Sequence, residues 1–471
     1  MDQTGQKREN WGSRIGFLMA AAGSAIGLGN IWRFPYLTGM NGGSAFILIY
    51  LFFVFVICLS VMLAEFAIGR NTGKAAVGAY KSTSRNWTFA GVIGVLSGFL
   101  IMGFYPVVGG WALAYIFKSV TGLLTTPEAI GDTFGAFITS TTEPLLWMII
   151  FIVLNVLIVA RGVTKGIEAA GKILLPMLFF ILILIAIRGL TLEGASKGLE
   201  FLFKPDFSKV TGQTFLAALG QAFFSLSLGM GCMITYGSYL NKSENLPQNA
   251  AIVTAMDTSA ALLAGLAMFP AMFAFGFEPT AGPGLVFVVV PSIFAQLGAL
   301  GPVLSAFFFV ALVVAALTSS VSLLEVVVAY LMDERHWPRK KAVYISSAIM
   351  TAMCVLASLS LGSMSGVTFL GVGAFDFFDI LTDKIFLAIG GMFLAIFTGW
   401  FVDKEVLRQE LTNGGTVSFA LFEVWHNLIK YVIPVVIAVI AVSGILSISQ
   451  KGLMIFGLAM IAVLALFSKK L

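Results

Sequence analysis

Residues 23–35 read Gly-Ser-Ala-Ile-Gly-Leu-Gly-Asn-Ile-Trp-Arg-Phe-Pro, inside an apolar stretch that starts at Arg14 and runs to about residue 38. The stretch is apolar enough to enter a bilayer. Yet Gly23, Gly27, Gly29 and Asn30 crowd its middle, and Arg33 and Pro35 follow directly. Glycine costs a helix about 1 kcal/mol relative to alanine, so this is a weak helix at mid-membrane depth. Lipid offers no partners for freed backbone groups, and unwound chain survives there only where it lines a cavity. Gly23-x-x-x-Gly27 also fits a helix-packing face, and this stretch alone does not separate the two readings.

The rest of the chain is membrane protein. Of 471 residues, 59% are hydrophobic and 11% charged, with a mean hydropathy of +0.98; soluble domains average about 25% charged. A span needs about 20 apolar residues. Such runs place spans near 14–38, 43–69, 88–121, 144–160, 167–188, 214–239, 247–276, 299–331, 342–361, 374–402, 428–448 and 452–468. The last run is short, so eleven spans remain an alternative to twelve. No soluble domain is expected. The polar connections near 122–143 and 189–213 carry Pro and acidic residues and are expected outside. The polar start and the long first apolar run do not fit a cleavable signal peptide.

Basic residues set the orientation. With the N-terminus in the cytoplasm, the inner connections hold Lys7, Arg8, Arg70, Lys74, Lys81, Arg85, Arg161, Lys165, Arg335, Arg339, Lys340, Lys341, Lys404 and Arg408, against Lys197, Lys204, Lys209 and Lys451 outside. Twelve spans also put Lys469 and Lys470 inside. The expected location is the cell inner (plasma) membrane, multi-pass. The net charge of +5 is therefore a topology signal, and no nucleic-acid partner is expected. Cys58, Cys232 and Cys354 lie in apolar runs at unrelated spacings, where free Cys behaves as a small hydrophobe. His336 and His426 form no zinc spacing, and no enzyme motif is present. No phosphate-binding G-x-x-x-x-G-K-[ST] exists, so energy must come from an ion gradient. No repeated polar pore face or carbonyl filter suggests a channel.

Span six repeats the anomaly of span one. Gly220-Gln-Ala-Phe-Phe-Ser-Leu-Ser-Leu-Gly-Met-Gly231 gathers Gln221, Ser225, Ser227, Gly229 and Gly231 at mid-span. The first and sixth spans correspond if the fold is two five-span repeats, and an odd span number requires the second to be inverted. Glycine-interrupted spans at matching positions point to a transporter binding site at their interface.

Trp11, Gly23-Ser-Ala-Ile-Gly-Leu-Gly-Asn-Ile-Trp-Arg-Phe-Pro35, Asn41-Gly-Gly, Glu65-Phe-Ala-Ile-Gly-Arg70, Gly166-Ile-Glu, Gly229-Met-Gly and Leu317-Thr-Ser-Ser320 together resemble the neurotransmitter:sodium symporter family, its bacterial amino-acid transporters in particular, from about residue 7 to 440. The resemblance implies an all-α integral membrane protein of the LeuT-like fold. It would have inverted repeats over about 11–190 and 213–403 (spans 1–5 and 6–10), then one or two C-terminal helices within 428–468. It implies sodium-coupled import of neutral, mainly hydrophobic L-amino acids by alternating access. Alternatives are a narrower carrier for a small amino acid and a proton-coupled transporter.

The implied substrate carboxylate would lie on backbone N–H groups at Ala25, Gly27, Leu28 and Gly29, where half-helix ends carry partial charge, and would meet the Tyr105 hydroxyl. Ser24, Ile101, Phe224, Ser225, Ser227, Met230, Ser319 and Leu323 would line the rest. That lining holds no charge for an acidic or basic side chain. Met230, flexible and flanked by glycines, favours several hydrophobic substrates. Two sodium ions are expected, on oxygen ligands like other hard cations. One would use Ala25, Asn30, Ser225 and Asp257; the other Gly23, Ile26, Ala315, Thr318 and Ser319. Ionisable residues inside spans are costly and usually functional. Asp257, with Ala261 where chloride-dependent members have Ser, implies transport without chloride. The outer gate would be Arg33 with Asp379 over Tyr105 and Phe224; Asp376 and Asp383 are close enough in sequence to compete for that role. The inner gate would pair Arg8 with Asp333 among Trp11, Ser238 and Tyr239. Glu65 would accept hydrogen bonds from unwound span six. Gly166 and Pro176 mark a half-helix able to unwind toward an inner sodium site, or a simple proline kink. The oligomeric state is not legible.

Overall fold

The computed structural model describes residues 9–122, 126–277 and 285–471. Among them the chain is helix and connecting turn, with a single isolated bridge between Phe369 and Val372 in place of a sheet. Eight helices are long and apolar enough to cross a membrane. Two bent pairs raise this to ten: Arg14–Ala25 with Gly29–Met40 at 50°, and Ala129–Thr139 with Glu143–Val159 at 74°. The sixth span is broken more severely, into Gly212–Ser225 and Cys232–Gly237. Lys451–Leu466 occupies the twelfth position as a 16-residue helix.

Two details depart from the hydropathy reading. The stretch taken as a polar connection before span four contains the helix Ala129–Thr139, too short and too polar to register as a span. The third span, Arg85–Val120, is interrupted between Ile101 and Tyr105, where Gly103 stands, and Pro106 follows in the first turn of the next helix. The stretch between Gly166 and Pro176 is wound. Val163–Glu168 is π-helical and Ala169–Leu190 continues as α-helix across Pro176.

Packing separates a centre from a rim. In the most apolar window of Arg85–Val120, 83% of residues are buried; in that of Phe422–Leu446, only 22%. Between helices in lipid the hydrophobic effect gives no net drive, so close approach of small residues holds the bundle. At Gly110 a Cβ would stand 2.5 Å from the Met148 nitrogen, and at Gly109 2.6 Å from the Phe151 ring. Spans three and four could not sit as they do with side chains there. Spans one, three, six and eight converge on the centre, and the two broken helices face each other inside it.

Candidate functional site

The first break follows from its composition. Ser13 caps the first half-helix, accepting from the Gly16 nitrogen. The helix ends at Ala25, and Ile26 turns extended, φ −76° and ψ 101°. The chain then resumes as a π-turn over Gly29–Arg33 and an α-helix over Phe34–Met40. Pro35 sits in that helix's first turn, where its missing N–H is no loss. Gly27 is required by space: a Cβ there would lie 2.5 Å from Ser319 Oγ and 2.9 Å from the Tyr105 hydroxyl oxygen.

The second break, Leu226–Gly231, alternates through left-handed backbone at Ser227 (φ 54°), Gly229 (φ 77°) and Gly231 (φ 76°). Ser227 carries a Cβ there, which costs about 1–2 kcal/mol; its hydroxyl is held by donation to the Ser24 carbonyl at 2.8 Å. Glu65, fully buried, accepts from the Gly229 nitrogen at 2.8 Å and the Ile234 nitrogen at 3.3 Å. One carboxylate thus serves backbone groups that the broken helix leaves without partners.

Between the breaks, oxygens gather in two groups. In the first, Ser319 Oγ donates toward the carbonyls of Ser24 (2.9 Å), Ile26 (3.3 Å) and Gly23 (3.4 Å). Thr318 Oγ1 lies 3.1 Å from the Ala315 carbonyl. Spans one and eight meet here closely enough that a Cβ at Gly23 would be 3.1 Å from Thr318 Cβ. In the second group, Asn30 Nδ2 donates to Asp257 Oδ1 at 2.7 Å and to its carbonyl at 3.0 Å. Ser225 Oγ donates to Asp257 Oδ1 (3.0 Å) and Oδ2 (3.1 Å), and Asn30 Oδ1 accepts from the Gly27 nitrogen at 3.0 Å. Ala25 is buried nearby, but among the described residues no hydrogen bond ties its carbonyl to this group. Both groups offer a hard cation the oxygen ligands it prefers.

Asp257 is not a cap at a membrane edge. It lies well inside the 29-residue helix Leu246–Ala274 and is fully buried. Two residues absent from the expected site stand beside this group. Gln221 donates to the Gly29 carbonyl at 2.8 Å while its own Oε1 is buried without a partner among the described residues, and the buried Tyr50 hydroxyl lies beside Asp257 and Ser225. Gln221 was visible as a polar residue at mid-span; Tyr50 had no local signal.

The Tyr105 hydroxyl accepts from the Leu28 nitrogen at 3.2 Å, beside Gly27 and Ser319. Gly29 faces Phe224, and Met230 and Leu323 are buried around the second break. Ile101, in the third span's last turn before its interruption, is buried too.

Above the centre the gate pairing differs from expectation. Arg33 donates to Asp383 Oδ1 at 3.0 Å, not to Asp379, and its guanidinium stands 4.9 Å from the Phe224 ring centre. Lys384 shares the Asp383 carboxylate at 2.9 Å. Asp379 and Asp383 are one turn apart on a helix that becomes π-helical over Leu381–Phe386. Residues at that spacing share a face, and of the two Arg33 reaches Asp383.

At the opposite end, Arg8 lies outside the described residues. Asp333 Oδ2 accepts from the Ala75 nitrogen at 2.8 Å. Trp11 donates through Nε1 to the Tyr236 carbonyl (3.0 Å) and through its backbone to that of Tyr239 (3.2 Å). Ser238 Oγ donates to the Thr235 carbonyl at 2.6 Å. The Tyr239 hydroxyl donates to Glu325 at 2.7 Å, and Arg339 grips the same carboxylate through two nitrogens at 2.7 and 2.9 Å. Arg339 also reaches Glu9 at 3.0 Å, and Glu9 accepts from the Val163 nitrogen at 2.6 Å. Glu168 accepts from the Gly12 nitrogen (2.7 Å), Ser13 Oγ (2.9 Å) and Lys172 Nζ (2.6 Å). None of Glu9, Glu168, Glu325 or Arg339 was singled out as a site residue. Arg339 read as a loop charge, whereas it is largely buried. A cavity lined by Met19, Gly23, Ile167, Gly171, Tyr236 and Thr318 lies between the first oxygen group and the Gly166–Pro176 stretch.

Comparison with known proteins places this geometry. A profile for the sodium:neurotransmitter symporter family matches residues 8–130 and 136–467. The uncharacterized sodium-dependent transporter YhdH of Bacillus subtilis is 41% identical over 448 residues, covering 94% of this chain and 99% of that protein. An uncharacterized sodium-dependent transporter of Haemophilus influenzae is 38% identical over 460 residues, covering 94% and 100%. Among solved structures, that of MhsT in complex with L-phenylalanine superposes with a TM-score of 0.85 at 45% identity, over 93% of this chain and 100% of that one.

Proposed function

The chain belongs to the sodium:neurotransmitter symporter family, and from that premise we propose that it imports neutral, mainly hydrophobic L-amino acids, driven by two sodium ions. It is a multi-pass, sodium-dependent secondary transporter with the LeuT-like fold, not an enzyme. The observation that carries the finer reading is the pair of facing breaks, Ser24–Gly29 and Leu226–Gly231. They supply backbone groups and hydroxyls, while the side chains around them are neutral apart from Asp257 and from Glu65, whose carboxylate is taken up by backbone N–H groups of the second break. The Leu28 nitrogen and the Tyr105 hydroxyl would orient a substrate carboxylate. The Gly23–Ile26–Thr318–Ser319 oxygens would hold one sodium and the Asn30–Ser225–Asp257 oxygens the other.

Asp257 supplies a fixed negative charge where Ala261 offers chloride no hydroxyl, which supports transport without chloride. Two inverted repeats, about 11–190 and 213–403, would move against each other around the site, with the N-terminus cytoplasmic. Arg33 and Asp383 would close the outer side, and the Trp11–Tyr239–Glu325–Arg339 contacts the inner.

Uptake of radiolabelled leucine, phenylalanine and tryptophan into proteoliposomes tests this in sodium chloride, potassium chloride and sodium gluconate. Uptake should require sodium and persist in gluconate. Uptake of glycine alone would point to the small-substrate carrier. Uptake that ignores sodium and follows a proton gradient would move the coupling to protons, and loss in gluconate would overturn the chloride reading.

A further inference from the structure

At the end of the bundle where Trp11 and Arg339 stand, spans four and nine pack side by side, and Arg339 ties them by donating to the Val159 carbonyl at 3.3 Å. Each span carries an exposed apolar stripe at helical spacing, Val153 and Leu157 on span four, Ile349 and Ile345 on span nine. In a membrane-spanning bundle these stripes face acyl chains. Both stripes run into cations at this end. Arg161 follows four residues after Leu157, with Lys165 beyond it; Lys341 precedes Ile345 by four, next to Lys340 and close in sequence to Arg335. All five are exposed. Among the described residues none of the five forms an ion pair, and Lys341 has only the Trp337 ring, 4.7 Å from its ammonium. The neighbouring carboxylates are taken: Glu9 and Glu325 by Arg339, Glu334 by Lys81, Glu168 by Lys172. Elsewhere at the same end cations are matched, Arg70 and Lys242 by Glu410, Lys404 and Arg408 by Glu423.

We propose that Arg161, Lys340 and Lys341 bind the headgroup of an anionic phospholipid whose acyl chains lie along the two stripes. Topology asks for positive charge at this end, but not for cations gathered without carboxylates at the foot of two adjoining lipid-facing stripes. Basic pockets between spans recognise anionic headgroups in this way. Lysine and arginine make short, charge-assisted hydrogen bonds to phosphate oxygens, and their long stems let the charge rise to headgroup level from an apolar face. Tyr344, 56% exposed on span nine one turn from Lys340 and Lys341, has the amphipathic ring that favours the membrane–water interface. A soluble anion would meet the charges alone. A phospholipid meets the charges and the stripes together, which is why the lipid is the occupant. The inference needs only that the chain spans a membrane, and is independent of what the central site carries.

Native mass spectrometry of the full-length protein in detergent tests this, with dioleoyl phosphatidylglycerol and dioleoyl phosphatidylcholine added at equal concentration. The two lipids share acyl chains and differ in net charge. Each Lys or Arg near an anionic surface is worth about fivefold in binding, so phosphatidylglycerol should be retained at least about fivefold more than phosphatidylcholine. Arg161→Gln with Lys340→Gln and Lys341→Gln should remove most of that preference. Arg85→Gln with Lys469→Gln and Lys470→Gln, the same charge lost elsewhere at this end, should leave it. Lys341→Gln alone should lower it severalfold and serves if the triple variant does not fold. Equal retention of the two lipids by the native protein overturns the inference without any variant. An undiminished preference in the Arg161–Lys340–Lys341 variant overturns it, and so does an equal loss in the two triple variants, since the attraction would then belong to net charge and not to a site. Inorganic phosphate that displaces the lipid where chloride at equal ionic strength does not would make the occupant a soluble anion and overturn the assignment to lipid.

Discussion

The two ends of the central site are closed by different amounts of chemistry. At the outer end a single ion pair joins Arg33 to Asp383 over the Phe224 ring, and its side chains keep 28% and 19% of their exposure. At the inner end Glu325 is fully buried, Arg339 keeps 10%, and both are tied onward to Tyr239, Glu9 and span five. Coulomb attraction is similar in kind at both places; desolvation is not. A partly exposed pair is worth about 0–1 kcal/mol. Removing one partner of a buried pair costs about 3–5 kcal/mol, because the other charge is left without compensation. In the proposed orientation, outward opening would break one weak contact, whereas inward opening would have to release several at once. A carrier that should load from outside before it releases inside gains from that difference.

The largest effect should come from stripping the inner end of its buried partner. Arg339→Gln leaves Glu325 with Tyr239 alone, and inner closure should weaken by about 3–5 kcal/mol. A Met19→Cys reporter sits in the cavity beside Thr318, and the native cysteines are all buried. Its alkylation rate in the absence of sodium should rise at least tenfold. An unchanged rate would mean the network does not hold the inner side shut, and the asymmetry would have to be sought elsewhere.

A smaller effect tests whether the N-terminal segment and span five form part of the same closure. Glu168 lies so close to the first span that a Cβ at Gly16 would overlap it, 2.1 Å from its carboxylate. Glu168→Gln keeps the shape and removes the charge that Gly12, Ser13 and Lys172 share. Charge-assisted hydrogen bonds are worth about 1.5–3 kcal/mol, so the Met19→Cys reporter should react severalfold faster, though less so than with Arg339→Gln. Sodium affinity measured from the outside should stay within about twofold. A large loss of that affinity would mean Glu168 acts on the sodium region itself, and the inner clasp would not be a separate device.

What was legible in the sequence follows the same division between local and assembled features. The breaks announce themselves through Gly27, Gly29, Gly229 and Gly231, because weak helix is a local property of composition. Asp257 and Glu65 stand out as charges in apolar runs. Pairings are not local. Glu325 and Arg339 were both visible, yet 14 residues and a turn between two spans separate them, and nothing in that spacing says that the arginine leaves the loop for the interior. Ser322 looked like one more helical serine until Ser24 was placed against it. The helix Ala129–Thr139 is too polar for hydropathy to see. Asp376, Asp379 and Asp383 recur every three to four residues, so sequence could not choose among them; in the assembled structure Arg33 stands on Asp383.

That last choice yields the smallest effect and the sharpest discrimination. In a double-mutant cycle on substrate binding, Arg33→Gln with Asp383→Asn should give a coupling of about 0.2–1 kcal/mol, the range for an exposed pair. It should shrink toward zero at 1 M salt, where the screening length is about 3 Å. The matching cycle with Asp379→Asn should give a weaker coupling, since Arg33 makes no direct ion pair with Asp379. The measurement must resolve the two cycles from each other, so both belong in one membrane preparation with one ligand. A larger coupling to Asp379 would mean that Arg33 changes partner by one helical turn when substrate is bound. The outer closure would then be a ratchet between two carboxylates, and the contrast with the inner end would become one of mechanism as well as strength.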